Sequence, residues 1–170
     1  MKLASGDKVI SMTILHGIKA SMEEREAYLT IPVEKRLEIS KGNEEFTPEA
    51  LGVSLSKEQI ADLAKGEEFI LTISENGLGK RSSAYHYRIT NRGGSGIVNM
   101  VLSEKTGEVV ASMPANTNDE IMLITNNGKL IRCRLDAVRI TGRSTSASLI
   151  ADSSEEEEVL DEDGGDNTVM

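Results

Sequence analysis

Short apolar runs that end in Asn-Gly pairs dominate the second half of the chain. The run Ile70-Leu-Thr-Ile-Ser-Glu-Asn-Gly77 has this form, and so does Ile121-Met-Leu-Ile-Thr-Asn-Asn-Gly128. A β-rich run followed by Asn-Gly and an answering strand predicts a β-hairpin. The answering strand of the second hairpin has a period of two, which puts its apolar residues on one face and its arginines on the other: Ile131, Arg132, Cys133, Arg134, Leu135.

These two segments belong to an internal repeat with an ungapped offset of 51 residues. At that offset Arg81 falls on Arg132, and Arg88-Ile-Thr90 falls on Arg139-Ile-Thr141. A further hairpin is predicted from Ile97–Val101 and Glu108–Ser112, with its turn at residues 104–107, so each unit has about four strands. Repeats of this length are typical of propeller blades or solenoids.

A weaker echo of the repeat precedes it. Leu3–Ile10 resembles Leu63–Ile70 at an offset of 60, which predicts a partial β blade over residues 1–17. Residues 18–66 differ in composition and are predicted to be a mixed helical and loop insertion. Capping motifs at Ser21 and Ser56 predict short helices there, and the polar stretch Lys41–Glu45 predicts a loop.

Charge divides the chain into three parts that the formal net charge of −9 conceals. Residues 69–148 hold ten Lys/Arg against six Asp/Glu, whereas residues 149–170 hold nine acidic residues and no basic one. The blocked glutamates predict a disordered acidic tail over residues 151–170. No apolar run is long enough to span a membrane, and a single cysteine excludes an internal disulfide framework, so we expect a soluble cytoplasmic protein.

Residue types that could form a catalytic centre are scarce. There are two histidines and one cysteine, and no P-loop, Gly-x-Ser-x-Gly or His-Glu-x-x-His motif. We therefore expect no enzyme activity from this chain alone, no metal and no cofactor.

The arginines and the glycines beside them indicate phosphate binding. Thr90-Asn-Arg-Gly-Gly-Ser-Gly-Ile97 combines glycines that allow close backbone approach with an arginine that can fork onto phosphate oxygens. Because arginines recur with the repeat, as with Arg92 and Arg143, they suit a repeated polymer such as the DNA backbone. The predicted contacts are Lys80, Arg81, Arg88, Arg92, Gly93, Gly94, Lys129, Arg132, Arg134, Arg139 and Arg143.

These motifs give the chain a specific resemblance. Glu68–Arg81, Tyr87–Gly96, Asp119–Arg132 and Ile140–Arg143 resemble the last blades of the C-terminal domain of the DNA gyrase A chain, and Leu3–Met12 resembles an earlier blade. The resemblance implies an all-β fold, part of a six-bladed β-pinwheel, over residues 67–150, in a C-terminal fragment. That family's wrapping box, Gln-Arg-Arg-Gly-Gly-Lys-Gly, has only a degenerate counterpart here in Asn91–Gly96.

The resemblance also implies function and partners. It implies wrapping of double-stranded DNA in support of ATP-dependent negative supercoiling by the complete enzyme, a type II topoisomerase, in association with the nucleoid. The implied partners are the DNA backbone, the remainder of the gyrase A chain and, through it, the gyrase B chain in an A2B2 complex, with no membrane. Two alternatives are the equivalent domain of topoisomerase IV and a β-propeller scaffold that binds protein rather than DNA.

Overall fold

The computed structural model describes residues 3–43, 45–90, 96–145 and 147–150. Its helices are α1 Met22–Leu29, α2 Val33–Lys41, α3 Pro48–Leu51 and α4 Lys57–Gly66. Its strands are β1 Phe69–Ser74, β2 Leu78–Ser83, β3 Val109–Pro114, β4 Glu120–Ile124, β5 Leu130–Arg134 and β6 Ser148–Leu149, and short 3-10 turns follow β2 at Ala84–His86 and β5 at Leu135–Ala137.

The two Asn-Gly hairpins predicted from the sequence are confirmed. β1 pairs with β2 and β4 pairs with β5, both antiparallel. Each loop closes with the glycine N–H donating to the carbonyl three residues back, at 3.0 Å for Gly77 and 2.9 Å for Gly128. Both glycines have positive φ, +73° and +80°, a conformation that side chains with a Cβ disfavour. The glycine of each pair is therefore what allows the loop to close.

Backbone hydrogen bonds outside the hairpins follow the same repeat. Ala84 N donates to the Glu68 carbonyl at 2.8 Å, and 51 residues later Leu135 N donates to the Asp119 carbonyl at 3.0 Å. Each bond joins the residue before the first strand to the start of the 3-10 turn after the second. The repeat seen in the sequence is thus a repeat of tertiary structure.

The third predicted hairpin is wrong. Residues 97–101 form no strand, and β3 pairs instead with the free edge of β1, with Thr72 opposite Ser112. The predicted turn is present, with Gly107 N donating to the Ser103 carbonyl at 2.9 Å. Pairing there packs Ala111 of β3 against the core cluster that contains Leu71 and Ile73 of β1.

The first repeat's sheet is completed by the end of the second repeat. The four strands have the order β3-β1-β2-β6, and β4 and β5 form a separate two-stranded sheet. Ile150 N donates to the Gly77 carbonyl at 3.0 Å, and the Ile150 side chain is 2% exposed in a core that β1 and β5 share. The described residues after Arg143 therefore join the two repeats.

Residues 18–66 contain all four helices that the structure describes. The predicted helices at Ser21 and Ser56 are confirmed, each with a reciprocal capping box. The α2 and α3 helices were not predicted: α2 begins after Pro32 without a side-chain cap, and α3 is a single turn begun by Thr47. The sequence signal for α2 was weak because the N-terminal capping residue that usually marks a helix start is missing.

Residues 3–17 form neither a helix nor a strand. Met12 and Ile14 are 93% and 86% exposed. The segment meets the first repeat at Glu68, which accepts a hydrogen bond from Gly17 N and contacts His16 Nδ1, both at 3.1 Å. A blade over residues 1–17 stays a prediction.

Candidate nucleic-acid interface

Lys80 lies on β2, the second of the two central strands, and is completely buried. Its ammonium donates to three carbonyls of one loop: Gly142 O at 3.3 Å, Thr145 O at 2.9 Å, and Arg143 O. Burial, and then the charge of Arg143, lower the pKa of the Lys80 ammonium. The ammonium thus makes these three hydrogen bonds inside the protein, and the direct phosphate contact expected for Lys80 stays a prediction.

Arg81, the next residue on β2, is buried in the same way at 3% exposure. Its guanidinium donates to Val138 O at 2.9 Å, to the Thr117 hydroxyl at 3.2 Å and to Asp136 O at 3.4 Å. Burial lowers the pKa of Arg81, against the opposing effect of Asp136. The Arg81 side chain thus holds the 3-10 turn of the second repeat, and the phosphate contact expected for Arg81 also stays a prediction.

Lys80 and Arg81 donate hydrogen bonds to carbonyls within residues 136–145, which we call the clamped loop. This loop carries Arg139 and Arg143. Arg81 exchanges backbone hydrogen bonds with this loop, donating to the Arg139 carbonyl at 2.9 Å and accepting from Thr141 N at 2.8 Å. The Arg139 side chain is exposed, and the half-buried Arg143 donates to the Val98 carbonyl. The clamped loop thus places two arginines at or near the surface, on a backbone that is hydrogen-bonded to β2.

The segment around Val98, whose carbonyl accepts from Arg143, is hydrogen-bonded to β1. Asn99 Nδ2 donates to the Thr72 hydroxyl at 2.9 Å, and the Tyr87 hydroxyl donates to Asn99 Oδ1. Burial raises the pKa of the Tyr87 hydroxyl, which keeps it a neutral donor. Tyr87 also precedes the exposed Arg88. The hydrogen bond from Tyr87 to Asn99 therefore connects the backbone beside Arg88 to the segment whose Val98 carbonyl accepts from Arg143.

Arg132 and Arg134 occupy the outer face of β5, as the alternating pattern predicted, and are exposed while Cys133 is buried. Both are paired with carboxylates: Arg132 with Glu120 across the hairpin, and Arg134 with Asp136 at 2.5 Å. Surface ion pairs of this kind contribute little to stability. Lys129 is exposed in the turn before β5.

Arg92, Gly93 and Gly94, the centre of the predicted glycine-rich phosphate loop, lie outside the described residues, as does the acidic tail. Within the described ranges, no group of three or more His, Cys, Asp or Glu could hold a metal ion, and no helix is long and apolar enough to cross a membrane.

The predicted contact residues that the structure describes therefore differ in burial. Lys80 and Arg81 are buried, whereas the others are exposed or half-buried. Sequence reasoning missed the acceptors that occupy Lys80 and Arg81, because backbone carbonyls carry no sequence signal. The carboxylates that pair with Arg132 and Arg134 did have a sequence signal. Glu120 stands directly before the apolar run of the partner strand, and Asp136 follows Arg134 by two residues.

Comparison with known proteins agrees with this architecture. The family model described as the DNA gyrase C-terminal domain, beta-propeller, matches residues 68–116 and 119–160, more than half of the chain. The DNA gyrase A chain of Rickettsia prowazekii is 58% identical over 99% of this chain and 20% of that protein. The gyrase A chain of Rickettsia typhi is 61% identical over 94% and 18%, and that of Granulibacter bethesdensis is 44% identical over 85% and 17%.

The chain spans about a fifth of the length of these relatives. A crystal structure of the C-terminal domain of DNA topoisomerase IV aligns with a TM-score of 0.45 and 19% identity, over 49% of this chain and 26% of that one. The family match confirms the predicted propeller-like β domain. The chain belongs to the DNA gyrase C-terminal domain family of β-propellers.

Proposed function

We propose that this chain binds the backbone of double-stranded DNA and wraps it, as the C-terminal part of a gyrase A chain. The observation that carries the proposal is the pair of structurally equivalent repeats, which bring Arg88 and Arg139 to the surface 51 residues apart. A surface of arginines repeated by the architecture suits a ligand whose charges are also repeated. Contacts to phosphate rather than to base edges make binding nearly independent of DNA sequence.

The wider role belongs to the whole protein of which this chain resembles one part. We propose that it supports negative supercoiling by an A2B2 complex of the gyrase A and B chains, in the cytoplasm at the nucleoid. The three relatives described above are gyrase A chains, which favours this reading over a topoisomerase IV origin. The chain alone should then leave the linking number of a plasmid unchanged, with or without ATP.

The test is a titration of a fluorescent duplex of arbitrary sequence at several salt concentrations. Binding should weaken steeply as salt rises, because each neutralised phosphate releases counterions. The plot of log affinity against log salt has a negative slope. The double variant Arg139→Ala with Arg143→Ala should make this slope shallower by roughly 0.9 for each phosphate that the variant no longer neutralises.

Lys65→Ala is the matched control, since it removes an exposed positive charge from α4, outside the repeats. Its slope should stay that of the parent chain. Affinity that does not depend on salt would reject the phosphate-contact proposal and favour the protein-binding scaffold.

A further inference from the structure

The buried cations of the first repeat act on a loop of the second. The three acceptors of the Lys80 ammonium all lie within residues 142–145, more than 60 positions away in sequence. The Arg81 side chain bonds to Asp136 and Val138, and its backbone pairs with Arg139 and Thr141. Two adjacent residues of β2 therefore determine the course of the whole clamped loop.

The Lys80 contact has an electrostatic consequence for the loop surface. Carbonyl oxygens carry partial negative charge, which repels a phosphate, and those of residues 142, 143 and 145 all turn inward to the ammonium. The same contact fixes the backbone from which the Arg143 side chain leaves. An ammonium with three protein acceptors is a fixed support, not a donor waiting for a ligand.

We propose that Lys80 and Arg81 are positioning residues, which never touch DNA but hold the clamped loop so that Arg139 and Arg143 meet the phosphates. This inference rests on the proposed DNA binding. It assigns two of the chain's cations to organising the interface instead of forming it. It also makes the second repeat's contacts dependent on the first repeat.

Lys80→Met tests the proposal, because methionine keeps an unbranched stem and removes the donors. The variant should bind duplex DNA more weakly, with its salt slope reduced by about 0.9 for each loop arginine that no longer meets its phosphate. Arg143→Ala added to Lys80→Met should cause no further decrease in slope. Lys105→Met, which removes an exposed charge in the turn before β3, should leave the slope unchanged.

The outcomes separate the possible roles. If Lys80 itself contacted phosphate, the losses from Lys80→Met and Arg143→Ala would add, and the proposal would be overturned. If Lys80 were merely structural, the variant would melt at a lower temperature with an unchanged slope, which also overturns it. A parent chain that binds without salt dependence would instead refute the proposed function.

A second measurement needs no variant and applies even if Lys80→Met fails to fold. Acylation of the parent chain with an amine-reactive reagent should label Lys105 readily and Lys80 much more slowly, both with and without duplex DNA. Labelling of Lys80 at the rate of Lys105 would overturn the proposal, and so would protection of Lys80 that appears only when DNA is bound.

Discussion

At the scale of single residues, Gly79 is where residues 148–150, at the end of the second repeat, pack against the first repeat. It lies on β2 opposite Ser148 of β6. A Cβ added to Gly79 would lie 2.2 Å from Ile150 Cδ1 and 3.2 Å from the Thr72 carbonyl oxygen. The missing side chain is thus what lets Ile150 enter the shared core.

Gly79→Ala should therefore destabilise the chain by about 1–3 kcal/mol, the usual cost of overpacking a core. Urea unfolding would measure it. The cost should be smaller in an Ile150→Val background, since that change removes the nearest clashing atom. Gly96→Ala is the control, because no atom lies within 4 Å of the position that its Cβ would take and little change is expected. An equal cost in both Ile150 backgrounds would contradict this explanation.

At the scale of elements, the helices join the first repeat through a buried ion pair. Arg36 on α2 pairs with Glu67, the residue after α4, and both side chains are less than 5% exposed. The Arg36 Nε donates to the Ile31 carbonyl at 3.1 Å, and the Tyr28 hydroxyl donates to Glu67 Oε2 at 3.0 Å. Burial, and then Glu67, raise the pKa of Tyr28, so its hydroxyl stays a donor.

The helices also pack directly on the blade. Tyr85, in the 3-10 turn after β2, meets Tyr28 edge to face with ring centroids 5.8 Å apart and donates to the Leu63 carbonyl at 2.9 Å. The helical core cluster includes Tyr85 among its buried members. The helices of residues 18–66 therefore share one packed core with the 3-10 turn of the first repeat.

Arg36→Met should cost about 3–5 kcal/mol of unfolding free energy, because it leaves the Glu67 carboxylate buried without its partner. Adding Glu67→Gln should recover part of that loss. Lys41→Met, which breaks the exposed Lys41–Glu38 pair at 3.0 Å, is the control and should cost far less than Arg36→Met, because exposed ion pairs contribute little to stability. Equal losses from the buried and the exposed pair, in denaturant titrations, would refute the anchoring role.

At the scale of the whole molecule, two neighbouring parts of the chain carry opposite net charge. Residues 69–148 carry a net charge of +4, and the following 22 residues carry nine negative charges and no positive one. A covalently attached anion competes for a cationic surface at high effective concentration. Its reach is limited by screening over about 8 Å at physiological ionic strength.

Deletion of residues 152–170 should therefore tighten DNA binding at low salt, and the gain should shrink as salt rises. Duplex titrations with the full and truncated chains would measure it. A chain in which the tail's acidic residues are replaced by Ser and Gly, at unchanged length, separates charge from bulk. Equal affinity of all three at low salt would show that the tail does not compete with DNA.

Local chemistry determined much of this protein from the sequence alone. The Asn-Gly hairpins, the capped helices at Ser21 and Ser56 and the repeat offset were all readable, because each depends on neighbours within a few residues or on self-similarity. The two-faced character of β5 was readable for the same reason, since side chains alternate along a strand. These features are local and carry their own signal.

Only the tertiary structure decided which cations face solvent and where strands find partners. Lys80 and Arg81 have the same sequence character as Arg139, yet β2 lies between β1 and β6 with all six of its residues buried. The strand β3 pairs with the edge of β1, whose backbone groups were open to a further strand, and not with residues 97–101 as predicted. Both outcomes depend on backbone acceptors and sheet edges brought together from distant parts of the chain, and neither of these is encoded by any residue type.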